Sequence, residues 1–199
     1  MDTQKITNFL FEIASMRRLT RSHRQFITGV TDNIADHSFR AAVIGMVLAE
    51  LEGVDSSKVL KICLFHDLAE ARTGDANYLN KQYGDLREDE VTRDQMDGLP
   101  IGPEIVALLE EYERRESPES VVAKDADLVD QMILQQEYFR GDDENRNRWH
   151  NHAVRSMRTK SARELAERIR ETNPLEWLYE VTGKKTNTVV GAPVESVTA

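Results

Sequence analysis

The sequence predicts an all-α fold that forms one compact helical bundle. Several segments carry apolar residues three or four positions apart, as on one face of a helix. No stretch alternates apolar and polar residues between turn signals, which is the pattern of a half-buried strand. The 199 residues, 40% hydrophobic and 31% charged, are enough to bury one sizeable core. We therefore expect a single domain over residues 1–182 and a disordered tail over residues 183–199.

Three helices are predicted in the first half of the chain. The first covers about residues 3–16, where apolar residues recur at helical spacing. The second begins at one of three adjacent N-cap candidates, residues 31–33, and runs to Glu52 before a glycine. Its middle is apolar on nearly every side, so we expect it to be buried at the centre. The third begins at Ser56 or Ser57 and is expected to carry Glu70 as well.

The second half continues as helices after a polar stretch over residues 76–102 that contains helix-breaking glycine and proline. A Ser-Pro pair at residues 117 and 118 supplies an N-cap and a first helical residue for the longest of them. The predicted helices cover about residues 85–96, 103–114, 117–140, 148–157, 161–171 and 174–181.

Composition restricts the classes of partner. The formal net charge of −9 argues against binding to nucleic-acid polymers or anionic membranes, both of which need basic surface. No apolar stretch approaches the roughly 18 residues of a membrane span, and no secretory pattern opens the chain. The only cysteine, Cys63, fits a reducing compartment and is expected to be a small core residue. We expect a cytoplasmic protein with a small-molecule substrate.

An imidazole and a carboxylate stand side by side at His66-Asp67, directly after an apolar helical run. Buried charges are costly unless they are paired or coordinate a metal. Glu70 follows one helical turn later, and Asp75 lies just beyond Gly74, the predicted end of the helix. The alternative for this pair is an ordinary helix-end histidine with solvated acids.

Two further candidates lie on other predicted helices. His37 begins the buried face of the second helix, and Asp127 lies at the edge of an apolar stripe. Taken alone, His37 is more typical of a hydrogen-bonded core histidine and Asp127 of a solvated acid. Together with His66 and Asp67 they supply two imidazoles and two carboxylates, which suit Mn²⁺, Co²⁺, Fe²⁺ or Zn²⁺ with positions left open. A basic segment over residues 17–24 is either a solvated stretch or an anion-binding site.

The order His, His-Asp, Asp on helices of a compact α domain resembles the HD phosphohydrolase superfamily, and more closely its 5′-deoxynucleotidases. The resemblance covers roughly residues 5–181. It is carried by residues 34–38, residues 65–75 with the Gly-Asp pair at their end, and residues 122–127 with their Lys-x-x-Asp pattern.

The resemblance implies one divalent metal ion (Mn, Co, Fe, Zn or Mg), a nucleotide substrate and a homodimer. It assigns the metal ligands to His37, His66, Asp67 and Asp127. It assigns Glu70 and Asp75 to the attacking water and the sugar side of the substrate. The phosphate would be held by Arg21 or Arg18. One departure concerns the residues after Arg21, where relatives commonly carry a tryptophan and this chain has Ser22-His23-Arg24. Arg24 there would favour a more negatively charged substrate.

The function expected from these residues is hydrolysis of the 5′-phosphate of (deoxy)nucleoside monophosphates by an activated water. Alternatives are a hydrolase of nucleoside triphosphates or other small phosphates, and a non-catalytic HD binding module. A two-metal oxygenase is disfavoured, because no histidine lies between His66 and Asp127. His150 and His152 are expected at the surface or at a helix start.

Overall fold

The computed structural model describes residues 2–139 and 141–183. These residues form helices and connecting segments, and none of them forms a β-strand. An isolated bridge between Thr20 and Asn33 is the only strand-like pairing among them. Two short 3₁₀ turns, Met16–Arg18 and Ser22–Gln25, follow the first helix. The α-helices are α1 (Thr3–Ser15), α2 (Ile34–Glu52), α3 (Ser56–Phe65), α4 (Glu70–Thr73), α5 (Tyr78–Tyr83), α6 (Glu88–Met96), α7 (Gly102–Arg114), α8 (Pro118–Tyr138), α9 (Asp143–Ser156), α10 (Lys160–Glu171) and α11 (Glu176–Gly183). The all-α prediction is confirmed.

The core forms where α2, α3 and α8 pack against one another. Gly45 allows α2 to lie close to α3, because a Cβ at this position would be 2.7 Å from Cys63 Sγ and 3.0 Å from Val59 Cγ1. Cys63 is buried, as expected of a small core residue. This close packing brings the N-terminal part of α2 near the C-terminal end of α3.

The helix ends follow from local capping. Asn33 and Asp36 form a reciprocal capping box at the start of α2, and Gly53 ends that helix at a φ of 69°. Ser117 caps α8 as predicted. The predicted serine cap of α3 is wrong, since the Asp55 carboxylate accepts the first backbone N–H groups instead. Asp is an equally good N-cap, and here it precedes both serines.

The third predicted helix is interrupted. Helix α3 ends at Phe65, residues 66–69 form tight turns, and Glu70 begins the one-turn helix α4, which ends at Gly74 with a φ of 76°. His66-Asp67 and Glu70 therefore do not share one continuous helix. The turns are fixed by tertiary contacts, among them a hydrogen bond of 3.2 Å from Gln95 Nε2 to the Leu68 carbonyl.

Other boundaries differ by smaller amounts. The predicted helix over residues 85–96 begins at Glu88, a separate helix α5 precedes it, and α9 begins five residues earlier than predicted. The long helix α8 ends at Tyr138, and Arg140 lies outside the described residues. Of the predicted tail, Gly183 is the last residue of α11, and residues 184–199 lie outside the described residues. No helix in the described part of the chain has the length and apolar character of a membrane span.

Candidate metal centre

Four side chains from three parts of the fold meet at one point. His37 comes from α2, His66 and Asp67 from the end of α3 and the following turn, and Asp127 from α8. The two Nε2 atoms of the histidines lie 3.1 Å apart, and Asp67 Oδ2 lies 3.2 Å from His37 Nε2 and 3.3 Å from His66 Nε2. Asp127 Oδ1 is 3.5 Å from His37 Nε2. The structure thus brings together all four predicted ligands.

The second nitrogen of each imidazole is already engaged. His37 Nδ1 lies 2.6 Å from Asp130 Oδ2, and His66 Nδ1 lies 2.8 Å from the backbone carbonyl of Cys63. Both partners are hydrogen-bond acceptors, so each ring carries its Nδ1 proton toward its partner. The Nε2 atoms therefore face the common centre. Histidine ligands of metalloproteins have the same arrangement, in which the other ring nitrogen donates to a carboxylate or a carbonyl.

This centre favours a positive charge. Burial and the charge of Arg21 oppose protonation of His37, but hydrogen bonds to Asp130 and Asp67 outweigh them and raise its pKa to about 9. Burial lowers the pKa of His66, which keeps that ring neutral. One donor atom each from His37, His66 and Asp127 lie within 4.8 Å of one another. The donor set fits a divalent ion, which would take the place of the proton on His37.

The acid from α8 is kept ionised by its neighbours. Burial opposes the carboxylate, but Lys124, with Nζ at 2.8 Å, and the two imidazoles hold the pKa of Asp127 well below its ordinary value. Tyr112 donates a hydrogen bond of 3.4 Å to Asp127 Oδ2, and Lys124 Nζ lies 5.1 Å from the centre of the Tyr112 ring. A negative ligand is therefore available at neutral pH.

Glu70 lies next to the four predicted ligands, but it is not one of the side chains whose donor atoms converge. Glu70 is 6% exposed, and its Oε2 has no hydrogen-bond partner among the described residues. Burial, followed by the charges of Asp67 and Asp75, raises the pKa of Glu70 to about 10. With His66, Asp67 and Tyr112 it lines a cavity of about 660 Å³, so a small molecule has room to reach it.

Arg21 and Asp75 complete one side of the site. Arg21 is 5% exposed, and its Nη1 lies 3.2 Å from Asp67 Oδ2 and 3.5 Å from Asp75 Oδ2. Asp75 also accepts hydrogen bonds from the Ser22 N–H at 2.8 Å and the Ser22 hydroxyl at 3.0 Å. Asp75 therefore holds the segment that carries Arg21.

Two other arginines of the basic segment, Arg24 and Arg18, lie further out. Arg24 is exposed and lines a second cavity of about 450 Å³ together with Arg21 and Asp75. Arg18 is exposed and lines neither cavity. The geometry brings Arg21 to the four predicted ligands and leaves Arg18 away from them.

Sequence reasoning missed the supports of the two imidazoles and misplaced one histidine. Asp130 follows Asp127 by three residues, so helical spacing could have placed it on the same face of α8. The Cys63 carbonyl and the Tyr112 hydroxyl have no comparable signal in the sequence. His150 was predicted at the surface or a helix start; it lies in the middle of α9 and is 0% exposed.

Two curated relatives are similar to the chain over about half its length. It is 30% identical over 112 residues to the human 5′-deoxynucleotidase HDDC2, a match that covers 54% of each chain. It is 32% identical over 114 residues to the Danio rerio 5′-deoxynucleotidase HDDC2, covering 54% of this chain and 56% of that protein. The chain thus spans about half the length of these curated relatives.

Solved structures have the same fold over most of the chain. A conserved hypothetical protein from Pyrococcus furiosus, 25% identical, has a TM-score of 0.68 and covers 83% of this chain and 99% of its own. The cyanophage S-2L HD phosphohydrolase DatZ, solved with dA and one catalytic Zn²⁺ ion, is 20% identical at a TM-score of 0.55, covering 88% of this chain and 96% of its own. The family model of the HD domain matches residues 13–171. This chain belongs to the HD domain family.

Proposed function

We propose that this chain is a metal-dependent 5′-nucleotidase that releases phosphate from (deoxy)nucleoside monophosphates. The observation that carries the proposal is the convergence of two imidazole nitrogens and two carboxylates beside a buried arginine and an open cavity. The activity named for the human and Danio rerio relatives supports the substrate class.

We assign one divalent ion to His37, His66, Asp67 and Asp127. When bound, such an ion supplies water activation and neutralises charge on the phosphoryl oxygens. Two nitrogen and two oxygen donors suit Mn²⁺, Co²⁺, Fe²⁺ or Zn²⁺ more closely than Mg²⁺, which prefers oxygen. The identity of the ion stays a prediction.

Arg21 is proposed to hold the phosphate. Its guanidinium is buried, and opposing acids, Asp67 first among them, raise its pKa further above its ordinary range despite burial. It is therefore always charged, and its flat fork of N–H donors matches phosphate oxygens. Arg18 was the alternative for this role, and its exposed position favours Arg21 instead.

Glu70 is proposed to accept the proton of the attacking water, and Asp75 to position Arg21 and contact the sugar side. The Oε2 of Glu70, which has no partner within residues 2–139 and 141–183, can accept a hydrogen bond. A positive ion beside Asp67 lowers the pKa of Glu70 from its high value, because it offsets the negative charges that raise it. That change brings Glu70 closer to the range useful for a general base.

The test is phosphate release from metal-stripped protein supplied with Mn²⁺, Co²⁺, Mg²⁺ or Zn²⁺. We expect release from deoxynucleoside monophosphates with at least one ion and none after chelation. Faster hydrolysis of triphosphates than of monophosphates would favour the alternative substrate class. Metal binding with no turnover of any nucleotide or small phosphate would favour a binding module and contradict the proposal.

A homodimer is proposed through α2. Exposed apolar residues follow one another along a single face of this helix at Phe39, Val43, Val47 and Leu51. A face of this kind, on a helix whose other side is the core, is typical of a subunit contact. Light scattering should give twice the chain mass, and Val43→Glu should return it to the mass of one chain. A cytoplasmic location stays a prediction.

A further inference from the structure

A second acid on α8 supports a metal ligand from behind. Asp130 is 1% exposed, and its Oδ2 lies 2.6 Å from Nδ1 of His37. It follows Asp127 by three residues, so both acids lie on the same face of the helix. Helix α8 therefore contributes one predicted ligand and also the partner of a ligand on α2.

The buried charge of Asp130 is balanced by an arginine from α2. Arg40 Nε donates a short hydrogen bond to Asp130 Oδ1, and Arg40 Nη2 lies 3.4 Å from Oδ2. Buried carboxylates are tolerated only when they are paired and hydrogen-bonded. Since Arg40 lies three residues after His37, the two side chains hold Asp130 from the same side of α2.

The Arg40–Asp130 ion pair is connected through Asp32 to the segment that carries Arg21. Arg40 Nη2 also donates to Asp32 Oδ2 at 3.0 Å, and the Tyr138 hydroxyl donates to Asp32 Oδ1 at 2.9 Å. The backbone carbonyl of Asp32 in turn accepts the Arg21 N–H at 2.9 Å. The support of His37 and the anchoring of the predicted phosphate-binding segment thus share one network.

We propose that Asp130, held in place by Arg40, is a positioning residue that sets the metal affinity of the site. It fixes the tautomer and orientation of the His37 ring, so that Nε2 faces the other donors. The inference rests on the metal site of the proposed function, but it predicts a property of residues that do not touch the ion. Loss of such a partner costs about 10- to 100-fold in metal affinity.

The same helix offers a matched control. Asp125 is as deeply buried as Asp130, but it accepts hydrogen bonds from Arg158 N–H and from the N–H and hydroxyl of Thr159. These contacts hold the start of α10 and none of them reaches the four predicted ligands. Asp125→Asn should therefore destabilise the fold without changing the metal affinity.

The experiment measures the dissociation constant for Zn²⁺ or Mn²⁺ by chelator competition, with the purified full chain and the variants Asp130→Asn, Arg40→Met and Asp125→Asn. Asp130→Asn should weaken binding about 10- to 100-fold. An amide can present its NH₂ to Nδ1, which moves the ring proton to Nε2 and removes a donor. Arg40→Met should weaken binding less. Thermal unfolding of the metal-free proteins reports stability separately.

Each outcome decides between the two proposals. Unchanged metal affinity in both Asp130→Asn and Arg40→Met, with wild type binding normally, would overturn the positioning role and leave the proposed function standing. An equal loss in Asp125→Asn would also overturn it, because the effect would then follow general stability. If Asp130→Asn does not fold, Arg40→Met decides. A wild type that binds no ion would refute the proposed function and this inference together.

Discussion

Replacing Glu70 with glutamine should make the metal-free protein more stable and the metal-loaded protein nearly inactive. The side chain is buried, its Oε2 has no hydrogen-bond partner in the part of the chain that the structure describes, and Asp67 and Asp75 add negative charge around it. These features indicate a group retained at a cost to stability, as is common for residues that act in chemistry. Glutamine keeps the shape of the side chain and removes its charge.

The size of the gain follows from the pKa. Burial and the neighbouring acids raise the pKa of Glu70 from 4.5 to about 10, so the folded state binds more protons than the unfolded state between these values. Its contribution to stability therefore falls as the pH rises through that window. About 2.5 pH units separate 4.5 from pH 7, and at about 1.36 kcal/mol per unit the penalty at pH 7 is at most about 3.4 kcal/mol.

Urea unfolding of both metal-free proteins at pH 7 should show this gain in the Gln variant, and the difference should vanish below pH 4.5. The metal affinity of the variant should stay within a few-fold of wild type. Its turnover should fall about 10²- to 10⁴-fold, the usual contribution of an acid–base group. A variant that is less stable, that has lost its metal, or that turns over at wild-type rates would refute the reasoning.

Three further predictions concern other residues. Asp67→Ala should abolish both metal binding and phosphate release, since it removes a ligand; metal titration with an activity assay checks this, and retained binding would contradict it. Arg21→Ala should raise KM for monophosphates about 10- to 150-fold, from the loss of about 1.5–3 kcal/mol in a charged hydrogen bond, whereas Arg24→Ala should affect only di- or triphosphates. Steady-state kinetics on a matched nucleotide series separates the two arginines, and unchanged Arg21→Ala kinetics would remove this segment from the site. Burial, aided by Arg170 and Arg146, lowers the pKa of His150 to about 4, so its contribution to stability should be lost as the pH falls from 6.5 toward 4. His150→Leu should flatten that part of the urea-unfolding profile, and an unaltered pH profile would count against this assignment.

The helical fold was accessible from sequence because it depends on local signals, whereas the four predicted ligands were assigned through the family resemblance. Apolar spacing predicts helices wherever one face is buried, and α2, α7 and α8 begin and end close to the predicted positions. The predicted ligands were weaker signals, because His37 alone is more typical of a core histidine and Asp127 of a solvated acid, and the family resemblance grouped them with His66 and Asp67. Their convergence, in contrast, depends on how α2, α3 and α8 pack, which the resemblance supplied.

The supports of the site were less accessible because they depend on tertiary contacts. Asp130 looks like one acid among several on α8 until α2 brings His37 and Arg40 against it. His150 lies in a polar segment, and it is buried because α9 packs on α8. Neither environment can be read from neighbouring residues along the chain.

The interruption after Phe65 explains how adjacent residues can serve one centre. In a continuous helix consecutive side chains point about 100° apart, so His66 and Asp67 would face different directions. The tight turns over residues 66–69 redirect Asp67 toward both imidazoles and start a new helix at Glu70. The turns are held by Gln95 at the Leu68 carbonyl and by the Arg72–Glu12 ion pair one turn later, contacts made with α6 and α1. Local helix propensity is overridden at the point where His66, Asp67 and Glu70 line one cavity, and distant helices supply the restraint.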